Sequence, residues 1–320
     1  MTTVDSNTPN EHPATPNHPL DPTGRTLRLL DSGVQMELGD PKDNDLTYLE
    51  RTLCQVSLPY RNPGDQVSHW VRRNGNLQLT VRPGIGPDGT PVWAYGVMPR
   101  LLLMWISDQV IKKTSAVDGR TVVFNDSLRG FLEDLGIGYT GPNGRKVRQQ
   151  VWALANTSLT LNVFEAERAA GASMNIADTH ELLWSHKDPA HTPALVGTSH
   201  ITISERFYQS IAAHPVPLET QVIQALRTRG GGGLPLDIFS WLKYRLFSAH
   251  RRQERFPLRM TWESLAHQFG AQYKHTRQFK AKFIPQLTAV QVAWPMFRFD
   301  APEKILLLWA TDTYRQQLNR

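Results

Sequence analysis

Nine residues, KHTRQFKAK from Lys274 to Lys282, combine side chains that can grip and read a polyanion. At 100° per residue, a helix through them sets Lys274, Arg277, Gln278 and Ala281 on one side. Phe279, Phe283, Gln286, Leu287 and Val290 fall on the other side, with Lys280 and Lys282 at the flanks. The major groove of B-DNA admits one helix. Arg and Gln each offer paired hydrogen bonds to a base edge, typically guanine and adenine, and an Ala can lie against a thymine methyl. Flanking lysines suit phosphates, which position a helix without reading sequence. An ordinary solvated helix surface is the competing reading of the same charges. A second set, Arg145, Lys146, Arg148 and Gln149, opens a helix in the first half. Residues 126–160 carry only four bases against three acids. That balance leaves open whether this half grips a DNA backbone, binds a second half-site or serves assembly.

The distribution of charge sharpens the first assignment. The 320-residue chain has a net charge of +6, but residues 1–50 hold nine acids against three bases. Residues 240–290 hold ten Lys and Arg against Glu254 and Glu263. A basic cluster that coincides with a helix-turn-helix pattern points to a nucleic acid partner. The mean hydropathy of −0.39 and the short apolar runs exclude a membrane span. The first residues show no secretory signal, and the single Cys54 fits a reducing compartment, so the expected location is cytoplasmic.

The elements that would position these residues follow from periodicity. Residues 1–24 hold five prolines among polar residues, and an acidic, Pro-rich tail over 1–50 is expected to be disordered. Asp40, Asp43 and Asp45 fit solvated acids in a loop better than a metal site. Leu77–Gly96 alternates about a Gly/Pro turn and predicts a β-hairpin. Its G-x-G-x-x-G (Gly84, Gly86, Gly89) precedes a strand, so it is a turn and not a dinucleotide loop. Helices are expected over Met98–Lys113, near Leu128–Leu135 after an Asp126 or Ser127 cap, and from Arg145 onward with Val147, Val151 and Leu154 inward. A strand, TVVF, lies between the first two. Leu159–Glu165 and the later NIADTHELLW alternate like a hairpin. This order outlines a winged helix.

The second half repeats the outline. It has a strand at HITIS, helices over Glu205–His214, Pro235–His250 and from Trp262, and closing strands at QVAWPMFRF and KILLLWAT. The Arg229–Gly233 run reads as a flexible joint. Pro285 predicts that the reading helix bends or stops near Ile284. The expected fold is therefore α+β and helix-rich: two tandem winged-helix domains with β-hairpin wings, at 51–199 and 200–320, behind the tail at 1–50.

Covalent chemistry finds little support in these residues. No His-x-His pair is present, His186 and His191 are separated by a proline-containing stretch, and no Walker-type loop occurs. The expectation is a DNA-binding protein without a catalytic site, metal or cofactor.

Several stretches resemble one family: LPYRNPG (Leu58–Gly64), YGVMPRLLLMWI (Tyr95–Ile106), SLRGFLEDLG (Ser127–Gly136), LDIFSWLKYRL (Leu236–Leu246), and WESLAHQFG with FKAKF. From about Leu58 onward the chain is similar to the plasmid-encoded RepA-type replication initiators of bacteria. The resemblance implies binding to repeated double-stranded sites at a plasmid origin, strand opening and recruitment of host replication proteins. It also implies a monomer–homodimer equilibrium, in which a dimer represses its own gene and a monomer initiates. A winged-helix transcription regulator and a nicking relaxase are the alternatives.

Overall fold

The computed structural model describes residues 24–38, 45–114, 119–124, 137, 141–182, 199–269 and 275–319. Helix α1 (Gly24–Leu38) precedes strand β1 (Leu46–Glu50) and helix α2 (Arg51–Gln55). Strands β2 (Trp70–Asn74), β3 (Leu77–Arg82), β4 (Gly84–Ile85) and β5 (Pro91–Val92) lead to α3 (Val97–Ile111) and β6 (Thr121–Val123). Next come α4 (Gly141–Ala155), β7 (Ser158–Glu165), β8 (Arg168–Asn175), β9 (Ala177–Glu181), β10 (His200–Ile203) and α5 (Glu205–Ala213). The chain continues with β11 (Pro215–Glu219), α6 (Thr220–Leu226), a 3-10 turn at Gly231–Gly233 and α7 (Leu234–Arg251). It ends with β12 (Leu258–Thr261), α8 (Trp262–Gln268), α9 (Thr276–Ala293), β13 (Phe297–Asp300), β14 (Ile305–Ala310) and α10 (Asp312–Leu318).

The architecture is mixed α and β, with several small antiparallel sheets between the helices. The sheets have strand orders β2-β3-β7-β8, β6-β10-β9 and β12-β14-β13, and β1–β11 and β4–β5 form isolated pairs. Local chemistry explains many boundaries. Ser204 caps α5 by accepting from Phe207 N at 3.2 Å, and Thr261 caps α8 by accepting from Ser264 N at 3.1 Å. Helix α7 carries Pro235 and Asp237 in its first turn and His250 and Arg251 in its last, matching its dipole. No helix among the described residues is long and apolar enough to cross a membrane.

Most expected helices and strands appear where periodicity puts them, and Val147, Val151 and Leu154 are all buried. Five expectations are corrected. First, residues 24–38 and 46–50 of the expected tail form a helix and a strand. Helix α1 buries Leu29 and Met36, and Ser32 Oγ donates to Ala293 O at 3.0 Å on the end of α9. Strand β1 pairs along its length with β11, from Leu46 opposite Glu219 to Glu50 opposite Pro215. Residues 1–23 lie outside the described residues, as does the helix expected near Leu128–Leu135.

Second, the hairpin partner of β7 is β8 and not the NIADTHELLW stretch; Leu161 faces Ala172. Strand β8 is almost wholly exposed and has no apolar alternation to give it away, whereas Ala177–Glu181 pairs with β10. Third, only the short β4–β5 pair forms around the Gly-rich turn, in which Gly86 N donates to Thr90 O at 2.8 Å. Strand β3 pairs instead with β2 and β7. Fourth, a domain break at 199/200 falls inside a sheet, because β10 lies between β6 and β9.

The fifth correction concerns the glycine run, which is a packed turn and no loose joint. Gly232 has φ +66°, and a Cβ there would sit 2.6 Å from Tyr60 O. Gly233 has φ +103°, and its Cβ would sit 2.6 Å from Arg100 Cδ. Only glycine combines that backbone with that approach.

Arg100 and Tyr60 belong to a buried junction between the halves. Arg100 Nε donates to Asp237 Oδ1 at 2.7 Å and its Nη2 to Asp237 Oδ2 at 2.8 Å. Other guanidinium hydrogens reach Leu58 O at 2.6 Å and Gly96 O at 2.6 Å, and Ser57 Oγ donates to Asp237 Oδ1 at 3.0 Å. The Tyr60 ring lies 4.8 Å from the Arg100 guanidinium carbon and 4.5 Å from that of Arg72. Burial works against the Arg100 charge, but the facing Asp237 carboxylate outweighs it and raises its pKa. Burial, reinforced by Asp237, pushes the Tyr60 hydroxyl well above its ordinary range. Replacing Asp237 with Ala leaves a buried guanidinium without its counter-charge. Urea unfolding of Asp237→Ala is expected to show a loss of about 3–5 kcal/mol.

Candidate nucleic-acid interface

The basic face is built from beneath by aromatic packing. Phe279, Phe283, Leu287 and Val290 on α9 are buried, as are Trp262, Leu265 and Phe269 around α8. Phe283 meets Trp262 edge-on with ring centroids 6.1 Å apart, and Phe269 with centroids 5.1 Å apart. Rings seated in this way fix the rotation of α9 about its axis. The opposite side of its first turns then points outward, and Arg277, Gln278, Ala281 and Lys282 are all exposed. Lys274 lies outside the described residues.

Lys280 departs from its expected place at a free flank. Its Nζ donates to Ala301 O at 3.0 Å and Pro302 O at 2.8 Å, in the turn between β13 and β14. It also stands 5.0 Å from the centroid of Trp262, whose Nε1 donates to the same Pro302 carbonyl at 3.0 Å. Lys280 thus ties the helix to the hairpin beside it. Helical projection places its Cα correctly but cannot show that a carbonyl pair waits within reach of the long side chain.

Pro285 neither stops α9 nor ends its regular part, for the helix runs on to Ala293. The continuation is held by burial of Leu287, Thr288, Ala289, Val290 and Ala293, and by α1 crossing at Gly33. A methyl group at Gly33 would overlap the Val292 carbonyl. This tertiary packing offsets the lost hydrogen bond of an interior proline, about 3 kcal/mol.

The hairpin adds a residue that the sequence reading missed. Arg298 is exposed on β13 between the inward Phe297 and Phe299, and that alternation was the available signal. In the first half, Arg145, Lys146 and Gln149 are exposed on α4, and Arg148 is half-buried with its Nη1 unpaired. Gln150 anchors this helix by donating to Trp93 O at 3.2 Å and accepting from Tyr95 N at 2.9 Å. The β7–β8 hairpin follows α4, as β13–β14 follows α9. The remaining bases of the 240–290 cluster are dispersed. Lys243 is buried against Glu219 at 2.7 Å, and Arg245 pairs with Glu254 at 2.7 Å.

The arrangement defines a helix-presenting protein with two basic helices, each followed by a hairpin. A model of the plasmid-encoded RepA protein family matches residues 93–264, over half of the chain. The chain belongs to this family of replication initiators, as the sequence resemblance implied. The matched segment contains the buried junction at Arg100 and Asp237 and ends within α8, so α9 lies beyond it. No curated protein matches the chain. Among solved structures, it is similar to a selenomethionine crystal structure of domains 2 and 3 of RctB, at 11% identity and a TM-score of 0.51. That likeness covers 82% of this chain and 98% of the other. A second structure of RctB domains 2–3 aligns at 10% identity and a TM-score of 0.49, covering 83% and 99%. At such identity the likeness bears on the fold alone.

Lys280→Ala removes two charge-assisted hydrogen bonds and the stacking on Trp262. Denaturant unfolding is expected to register a loss of about 1–3 kcal/mol.

Proposed function

We propose that this replication initiator binds repeated sites at a plasmid origin by inserting the first turns of α9 into the major groove. The single observation that supports this most directly is the joint exposure of Arg277, Gln278, Ala281 and Lys282 above a fully buried Phe283. Arg277 and Gln278 read base edges, Ala281 meets a thymine methyl, and Lys282 neutralises a phosphate. Arg298 on the adjacent hairpin is a further phosphate contact. The order α7, β12, α8, α9, β13, β14, with β12 pairing β14, supports a winged-helix reading of the second half. The first half follows that outline less closely, because β10 lies between β6 and β9. There Arg145, Lys146, Arg148 and Gln149 on α4 would meet the backbone of a neighbouring half-site.

Origin opening on this reading uses binding free energy to deform DNA, with no covalent step. The exposed face offers guanidinium, carboxamide, methyl and ammonium groups, which suit gripping and reading a duplex. Host replication proteins then join the complex, and the oligomer shifts between monomer and homodimer.

An origin fragment carrying this gene should replicate in a suitable host, whereas a pure transcription regulator would not confer replication. A protein-linked open circle from supercoiled origin DNA with Mg²⁺ would mark a nicking relaxase instead. In binding assays over single-base site variants, Arg277→Ala should lose about 1–3 kcal/mol of discrimination at one base position. Lys282→Ala should weaken all sites alike and reduce the log–log salt slope by about 0.9. Lys280→Ala should keep the parent's slope, since its ammonium is committed to carbonyls. An Arg277→Ala profile identical to the parent's at every position would remove α9 from base reading.

A further inference from the structure

An open groove of about 740 Å³ lies between the β1–β11 pair and the C-terminal half of α7, closed at one end by α10. Its size is that of a ligand site. The walls are apolar, with Leu46, Val216 and Leu318 facing Phe247, which is 47% exposed although it is a large hydrophobic ring. An apolar patch with a polar rim marks an interaction surface. Arg51, Arg251 and Arg252 form that rim, and all three are exposed with no ion pair among the described residues. The neighbouring Glu254 carboxylate is held by Arg245 at 2.7 Å.

The groove is also lined by a buried ion pair. Glu219 is 5% exposed; its Oε1 accepts from Lys243 Nζ at 2.7 Å, while the buried Oε2 has no partner. Strand β11 also limits how an occupant can bind. Pro215 and Pro217 carry no N–H, so a docking strand would find a broken ladder there. The groove therefore favours inserted side chains over strand addition.

We propose that this groove docks an acidic segment of a partner protein. The segment sets an apolar side chain against Phe247 and Val216 and lays carboxylates against Arg51, Arg251 and Arg252. Charge complementarity names the partner's chemistry: three exposed guanidinium groups line one apolar slot. The groove shares no residue with the exposed face of α9, so DNA and the segment can be held together. The assignment deepens the recruitment step of the proposed function and rests on it for the partner's role, but its test involves no DNA.

Random heptapeptides displayed on phage and panned on the full chain should yield sequences with at least two acidic residues beside a Leu, Ile or Phe. A fluorescein-labelled peptide of the winning sequence should bind saturably and weaken with added salt. Phe247→Ser and the double variant Arg251→Glu, Arg252→Glu should each lower its affinity at least tenfold. Both variants should keep the parent's circular dichroism, and Phe247→Ser should keep its affinity for origin DNA, which separates failure here from failure of DNA reading. Enrichment of peptides without acids, no enrichment, or affinity that survives both variants overturns the proposal. A tenfold gain on deleting residues 1–23 would assign the groove to the chain's own acidic N-terminal segment and overturn the partner. So would a dimer in sedimentation that both variants dissolve, which would assign it to a second copy.

Discussion

Phe283 has no solvent exposure, and the rings of Trp262, Phe269 and Phe279 surround it at centroid distances of 5.1 to 6.1 Å. Everything said about the basic face depends on this packing. A helix free to roll would show a time-averaged mixture of side chains, and no set of hydrogen-bond donors would keep one orientation. Rings of this size allow few alternative rotations without leaving voids in a close-packed interior. The specificity of the outer face is thus carried by side chains that never reach the surface. Lys280 adds a second constraint from the side, fixing helix and hairpin as one unit.

The buried Arg100–Asp237 pair plays the corresponding part between the halves. It joins α3 to α7, and its surroundings are built to accept no substitute. Tyr60 lies against the guanidinium, carbonyls take its remaining hydrogens, and the Gly232–Gly233 backbone passes at van der Waals distance. Such a pair adds little net stability over an apolar contact of equal volume, but it is unforgiving of misalignment. The second buried pair, Lys243 with Glu219, follows the same logic beneath the groove. There burial opposes the ammonium, and the facing carboxylate more than restores it, raising the Lys243 pKa.

Local information made much of this legible. Amphipathic period located α3, α4, α5, α7 and α8, and the inward and outward sides of α9 followed from a 100° rotation per residue. The missing parts depended on contacts distant in sequence. The glycine run has the composition of a linker, and only the approach of Tyr60 and Arg100 makes it a fixed turn. Strand β8 carries no alternation because neither of its sides is buried, so its pairing with β7 left no apolar trace. Lys280 reads as a solvated charge until the turn carbonyls of Ala301 and Pro302 are set beside it. The proline in α9 reads as a bend or a stop because its penalty is local, whereas the compensating burial comes in part from α1 at the other end of the chain.

That last contact has a temporal side. Ser32 and Ala293, which hydrogen-bond at 3.0 Å, are separated by 261 positions. A ribosome adding about 5–20 residues per second delivers α1 long before the surface that receives it, a delay of roughly 10–50 s. Until α6 and then α9 are made, helix α1 lacks the two helices it packs on, while earlier elements can assemble. The first of the described helices is therefore among the last to settle.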